Sequence, residues 1–147
     1  MWQEGEEGKI SGAAQNEKKV EEQLNLGKLV PTRPVLLDPT NLEKLEPLFK
    51  EGRQGELDPI VIIHDPDTDE LLLEDGNNRT ALAMKYGVQI PYKIYEVGDT
   101  HTDSVGSFVI DKGLLALNRK FRAKAKERGF NNFQEYYEMS MRQKPQP

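Results

Sequence analysis

The chain has 147 residues with 36% hydrophobic content, enough for one compact domain with polar tails and too little for two. It contains no cysteine, which excludes a disulfide framework, a thiolate nucleophile and Cys-ligated zinc, and fits a cytoplasmic protein. The net charge of -5 is unevenly spread: residues 1 to 110 hold 11 Lys+Arg against 21 Asp+Glu, and residues 111 to 147 hold 9 against 4. An acidic body is a poor surface for non-specific duplex binding, so the basic C-terminal stretch is the one candidate for contact with nucleic acid, which is not favoured.

Residues 1 to 26 are rich in Glu, Gln, Asn, Lys and Gly and read as a flexible arm, with helical character across Glu17 to Leu24. The opening MWQEGEEGKISGAAQ has neither the basic start nor the apolar run of a signal peptide, and no stretch reaches the apolar length of a membrane span. From Lys28, KLVPTRPVLL reads as a short strand at an edge or bulge, since Pro31 and Pro34 cannot donate to a ladder; Arg33 lies between them.

In DPTNLEKLEPLFKEG, the spacing of Leu42, Leu45, Leu48 and Phe49 predicts helix, with Asn41 as N-cap, Gly52 as stop, and Pro47 opposing one unbroken element. PIVIIHDPDTDELLLEDG reads as a β-hairpin around a solvated polar turn. That turn, residues 65 to 70, superficially matches half of a calcium loop, but Glu70 stands where the loop needs glycine and Gly76 where it needs a bidentate glutamate. His64 and His101 are the only histidines and form no closely spaced pair, which argues against zinc.

RTALAMKYG then predicts a helix lying on a sheet through Ala81, Leu82 and Met84 and closed by Gly87, and VQIPYKIYEV a further strand. Residues 98 to 106 read as turns. A helix starting near Asp111 is expected to bury a stripe of Leu114, Leu117, Phe121 and Ala125 and to expose Arg119, Lys120, Arg122, Lys124, Lys126 and Arg128. Those cations have three candidate partners: nucleic acid, an acidic protein, or the acidic body of the same chain. Asn132 and Glu135 resemble a capping box opening a last helix, docked through Phe133, Tyr136 and Tyr137, and the tail 143 to 147 is expected to be disordered.

The residues that carry candidate chemistry are Glu74 to Arg79, where a strand ends in a glycine turn and a helix begins. A helix start offers unpaired N–H groups and the positive end of the macrodipole, so Gly76, Asn77 and Asn78 can cradle a phosphate that Arg79 neutralises. Asp75 or Glu74 can take a proton from a hydroxyl, and Asp75 can hold Mg²⁺. The plain alternative is a structural turn in which Arg79 pairs with a carboxylate.

Taken together, LDPIVII, a hairpin, LLLEDGNNRTALAMKYG and IPYKIYEV resemble the ParB/sulfiredoxin-like superfamily over roughly residues 28 to 97. The resemblance implies an α+β fold: a mixed sheet with flanking helices over residues 27 to 110, with residues 111 to 142 as a helical extension. Sulfiredoxins carry Gly-Gly-Cys-His-Arg at the turn, and the missing cysteine excludes peroxiredoxin repair; their Arg-Pro strand resembles TRPVLL and makes Arg33 a second phosphate contact. Chromosome-partitioning ParB proteins carry Gly-Glu-Arg-Arg and a further DNA-reading domain, for which the residues after the match are too few. Free serine kinases carry Asp-Gly-His-His-Arg, nearest to Asp75, Gly76, Asn77, Asn78 and Arg79, but asparagine cannot shuttle a proton near neutral pH. The resemblance thus implies a domain binding ATP or another nucleotide with Mg²⁺, as a small-molecule phosphotransferase or nucleotide hydrolase. The alternative is a non-enzymatic module contacting DNA or a protein, and a nuclease ranks last because no carboxylate cluster stands out.

Overall fold

A computed structural model describes residues 24 to 143; the helical stretch expected from Glu17 and the tail expected to be disordered fall outside those residues, apart from Leu24 and Gln143. The described chain is a mixed α and β fold. Packing begins inside the stretch read as an arm: Asn25 caps a 3-10 turn at Leu26–Lys28, Leu26 is buried, and Leu24 packs against the core.

Six strands and four helices follow in the order β1 (Val30–Pro31), α1 (Pro39–Lys50), β2 (Ile60–His64), β3 (Leu71–Asp75), α2 (Asn77–Tyr86), β4 (Tyr92–Tyr95), β5 (Thr100–Thr102), β6 (Ser107–Val109), α3 (Lys112–Glu127) and α4 (Phe133–Arg142). The main sheet has the order β1-β3-β2-β4. β2 and β3 are the expected hairpin, antiparallel, while β1 runs parallel to β3 and β4 parallel to β2. β1 is short and lies at an edge, where Pro31 removes little from the ladder.

Strand alternation divides the core in two. Ile60, Ile62 and Leu73 face one side, with Leu42 and Phe49 of α1, Ala81 and Leu82 of α2, and Phe133 and Tyr136 of α4. Val61, Ile63 and Leu72 face the other, with Tyr95, Ile110 and Leu115 of α3. Each such large side chain contributes about 1.5–3 kcal/mol on burial. Glu46 of α1 accepts from both Lys85 Nζ (2.6 Å) and the Tyr86 hydroxyl (2.7 Å), fixing α1 to α2.

Four expectations change. α1 is capped by Asp38, whose side chain accepts from the Thr40 amide, and not by Asn41. α1 also passes through Pro47 unbroken: Pro47 and Glu43, whose carbonyl loses its usual donor, are both exposed, so water can serve that carbonyl and the ring disturbs no packing. The helix stops as expected at Gly52, which has φ +73° and donates to Phe49 O at 3.2 Å.

Residues 98 to 106 are not only turns, since β5 pairs with β6 in a second hairpin whose Thr102 and Ser107 hydroxyls lie 2.8 Å apart. Finally, α3 starts as expected with Asp111 capping the Leu114 amide, but buries Leu115, Asn118 and Ala125 and leaves Leu117 and Phe121 exposed. Asn118, Arg119 and Arg122 find carboxylates beneath the helix, on the side where Leu114, Leu115 and Ala125 pack, and these polar partners let the helix leave Leu117 and Phe121 outside. α4 opens with Asn132 accepting from the Glu135 amide and docks through Phe133 and Tyr136; the Tyr136 hydroxyl donates to Val35 O at 2.6 Å, and burial pushes its pKa up to about 12.

Candidate functional site

β1 and β3 are parallel, so both leave the sheet at the end where antiparallel β2 enters. The register Val30↔Leu72 and Pro31↔Leu73, with Thr32 donating to Leu73 O at 2.6 Å, brings Arg33 to the same end as Asp75 and Gly76. The segment leading into β2, Asp58 and Pro59, is there too.

Gly76 is required at this end for two reasons. Its φ of +111° lies in the left-handed region, and a Cβ on it would stand 2.3 Å from Ile60 Cγ2 and 2.8 Å from Ile60 Cβ. The turn therefore presses its backbone onto β2 and redirects the chain into α2 without a side-chain cap. The Gly76 carbonyl accepts from the Thr80 amide (2.9 Å) and hydroxyl (2.8 Å), which secures the first turn of the helix. The amides of Asn77, Asn78 and Arg79 are the orphan donors at the positive end of α2. Asn77 Oδ1 is buried without a hydrogen-bond partner among the described residues, a deficit of about 1–3 kcal/mol for a buried polar atom.

Arg79 turns inward. Its Nη1 donates to Asp58 O at 2.6 Å and to Pro59 O at 3.3 Å, and its Nη2 meets the Asp75 carboxylate at 3.2 Å. The guanidinium thus braces the entry to β2 against α2, and its charge is shared with Asp75. Asp75 is largely open to solvent. Arg33 is half-buried, forms no ion pair among the described residues, and lies near enough to Tyr136 to favour its ionised form slightly.

Glu74 does not join this group. Alternation along β3 sends it to the α3 side, where Asn118 Nδ2 donates to it at 2.9 Å, and burial pushes its carboxyl pKa up despite that hydrogen bond. Asp75 is therefore the acid at the turn.

The acidic turn between β2 and β3 is not simply solvated. Arg119 donates to both Asp65 oxygens (2.8 and 2.6 Å) and to Asp67 (2.8 Å), and Arg122 meets Glu70 at 3.1 Å. Asp65 is 2% exposed, and the Arg119 guanidinium holds its carboxyl down to about 2. For these two arginines the partner is the acidic body of the same chain.

Neither histidine belongs to a group of three ligands able to hold a metal ion among the described residues. His64 bridges Asp69 (2.6 Å) and Glu96 (3.0 Å), and both carboxylates push its pKa up. Buried His101 joins the Tyr95 hydroxyl (2.7 Å) to Asp103 (2.9 Å), a chain of polar groups that sequence reading missed. Nothing in the spacing of Tyr95, His101 and Asp103 marks it, because the turn between β4 and β5 brings Tyr95 to His101 and the start of the β5–β6 turn brings Asp103.

Among the described residues no helix is long and apolar enough to cross a membrane. No family model matches the chain, and neither a curated protein nor a solved structure matches it.

Proposed function

We propose that this is a ParB/sulfiredoxin-like domain that binds a nucleotide, ATP with Mg²⁺, at the turn from Gly76 to Arg79. The observation that carries the reading is the left-handed Gly76 opening α2, which leaves three orphan amides at the positive end of a helix that no side chain caps. Asn77 and Asn78 extend the donor set, and the unmet Asn77 Oδ1 is a group that a ligand donor would satisfy.

The charges determine how the site works. Arg79 and Asp75 offset one another, so attraction for phosphate comes from the amides, the helix dipole and Arg33. Asp75 is a single exposed carboxylate, which suits Mg²⁺ when phosphate oxygens complete the coordination and not otherwise. Nucleotide binding should therefore depend on magnesium. For transfer or hydrolysis of the terminal phosphate, Asp75 would either hold the metal, which supplies charge stabilisation, or take the proton from the attacking hydroxyl.

Calorimetric titration of the chain with ATP, CTP and pyrophosphate, with and without magnesium, tests the proposal together with Arg33→Ala. Saturable magnesium-dependent binding that weakens about tenfold without Arg33 is expected, the loss typical of one charge-assisted contact. Binding unaffected by magnesium and by Arg33 would place the ligand elsewhere.

A further inference from the structure

α3 has two working faces, and the fold uses only one. Inward, Arg119 and Arg122 clasp the acidic β2–β3 turn. Outward, Leu117 and Phe121 are 47% and 36% exposed, four residues apart on one side of the helix. Lys120, Lys124 and Arg128 follow at four-residue intervals beside them. All three of these cations are exposed, and none forms an ion pair among the described residues.

We propose that this outward face of α3 docks an acidic amphipathic helix from a protein partner. An apolar pair flanked by a ladder of cations is complementary to a helix carrying leucines on a seam and glutamates on its flank at the same four-residue spacing. The inward face of α3 already pairs with an acidic segment in this way, through Arg119 on Asp65 and Asp67. A nucleic acid fits less well. Residues 1 to 110 bring 21 acids against 11 bases, so a polyanion long enough to run past α3 onto the body is repelled, where a short helix confined to α3 is less so. A second copy of the chain offers no matching face on its own α3, since like ladders of lysine would oppose each other.

The probe is a labelled peptide of roughly 18 residues, long enough to form helix on binding, with a leucine seam and glutamate flanks. Fluorescence anisotropy compares it with a lysine-for-glutamate version and with single-stranded and duplex DNA. The acidic peptide should bind saturably, and the paired changes Lys120→Glu with Lys124→Glu, and Leu117→Ala with Phe121→Ala, should each weaken it about tenfold. All four residues are exposed, so circular dichroism melts should be unchanged and the loss assignable to the surface. No saturable binding of the acidic peptide, binding by either variant as tight as by the wild type, or tighter binding of DNA than of the peptide would overturn the proposal.

Discussion

Arg119 holds Asp65 by two parallel hydrogen bonds, 2.8 Å from Nε and 2.6 Å from Nη2, linking α3 to a hairpin turn 54 residues earlier. The pair is asymmetric, with Asp65 buried and Arg119 partly open. Asp65→Asn should therefore cost about 1–3 kcal/mol, less than for a fully buried pair because Arg119 can regain water. The Asp65 pKa is lowered in the folded state, so its contribution is present above the unfolded value and is lost as pH falls from there through about 2. Urea unfolding at neutral pH and at pH values descending through that window should show the wild-type advantage over Asp65→Asn shrinking with acid; a constant gap would mean the ion pair is not its source.

Gly76→Ala should be strongly destabilising, by about 2–5 kcal/mol, since it combines a left-handed backbone with a Cβ 2.3 Å from Ile60 Cγ2. Coupling identifies the cause. Ile60→Ala removes the clashing methyl, so in a double-mutant cycle the cost of Gly76→Ala should fall on the Ile60→Ala background. Additive effects would show that the cost lies in strain at φ or in the 2.8 Å contact with the Cβ that Ile60→Ala retains, and not in the clash with Ile60 Cγ2.

His64 should make a small contribution to stability that depends on pH in the opposite sense to Asp65. Its folded pKa is raised by Asp69 and Glu96, so the stabilisation is fully present below the unfolded value and disappears as pH rises through the folded one. Thermal melts of wild type and His64→Gln should differ most at mildly acidic pH and converge in alkali. The size is expected to be at most about 1 kcal/mol, because Asp69 and Glu96 are exposed. A difference that grows toward high pH would refute the bridging imidazolium.

Where local chemistry specified an element, it was mostly readable, although the α1 cap was expected at Asn41 and lies three residues earlier at Asp38. The β2–β3 hairpin, the start of α2 after Gly76, the start of α3 near Asp111, the cap at Asn132 and the stop at Gly52 follow from turn residues and capping side chains acting over a few positions. Long-range partners were not readable. The polar partners of α3, Glu74, Asp65 and Glu70, are each more than forty residues away, so periodicity alone put Leu117 and Phe121 in the core. At the candidate site, the meeting of Gly76 and Arg79 at a helix start was visible in order of residues. That Arg79 spends two of its nitrogens on Asp58, Pro59 and Asp75, and that Glu74 turns to the other face, depends on sheet register and strand alternation.

The most direct measurement is calorimetry of MgATP binding to the wild type and to Asn78→Asp. An acid in the first turn of α2 favours the helix dipole, so the variant should melt no lower than wild type, while its carboxylate repels phosphate from the same amides. The account predicts saturable binding by the wild type and affinity about tenfold lower or worse in Asn78→Asp. Absence of nucleotide binding by the wild type, or equal affinity in the two proteins, would contradict it.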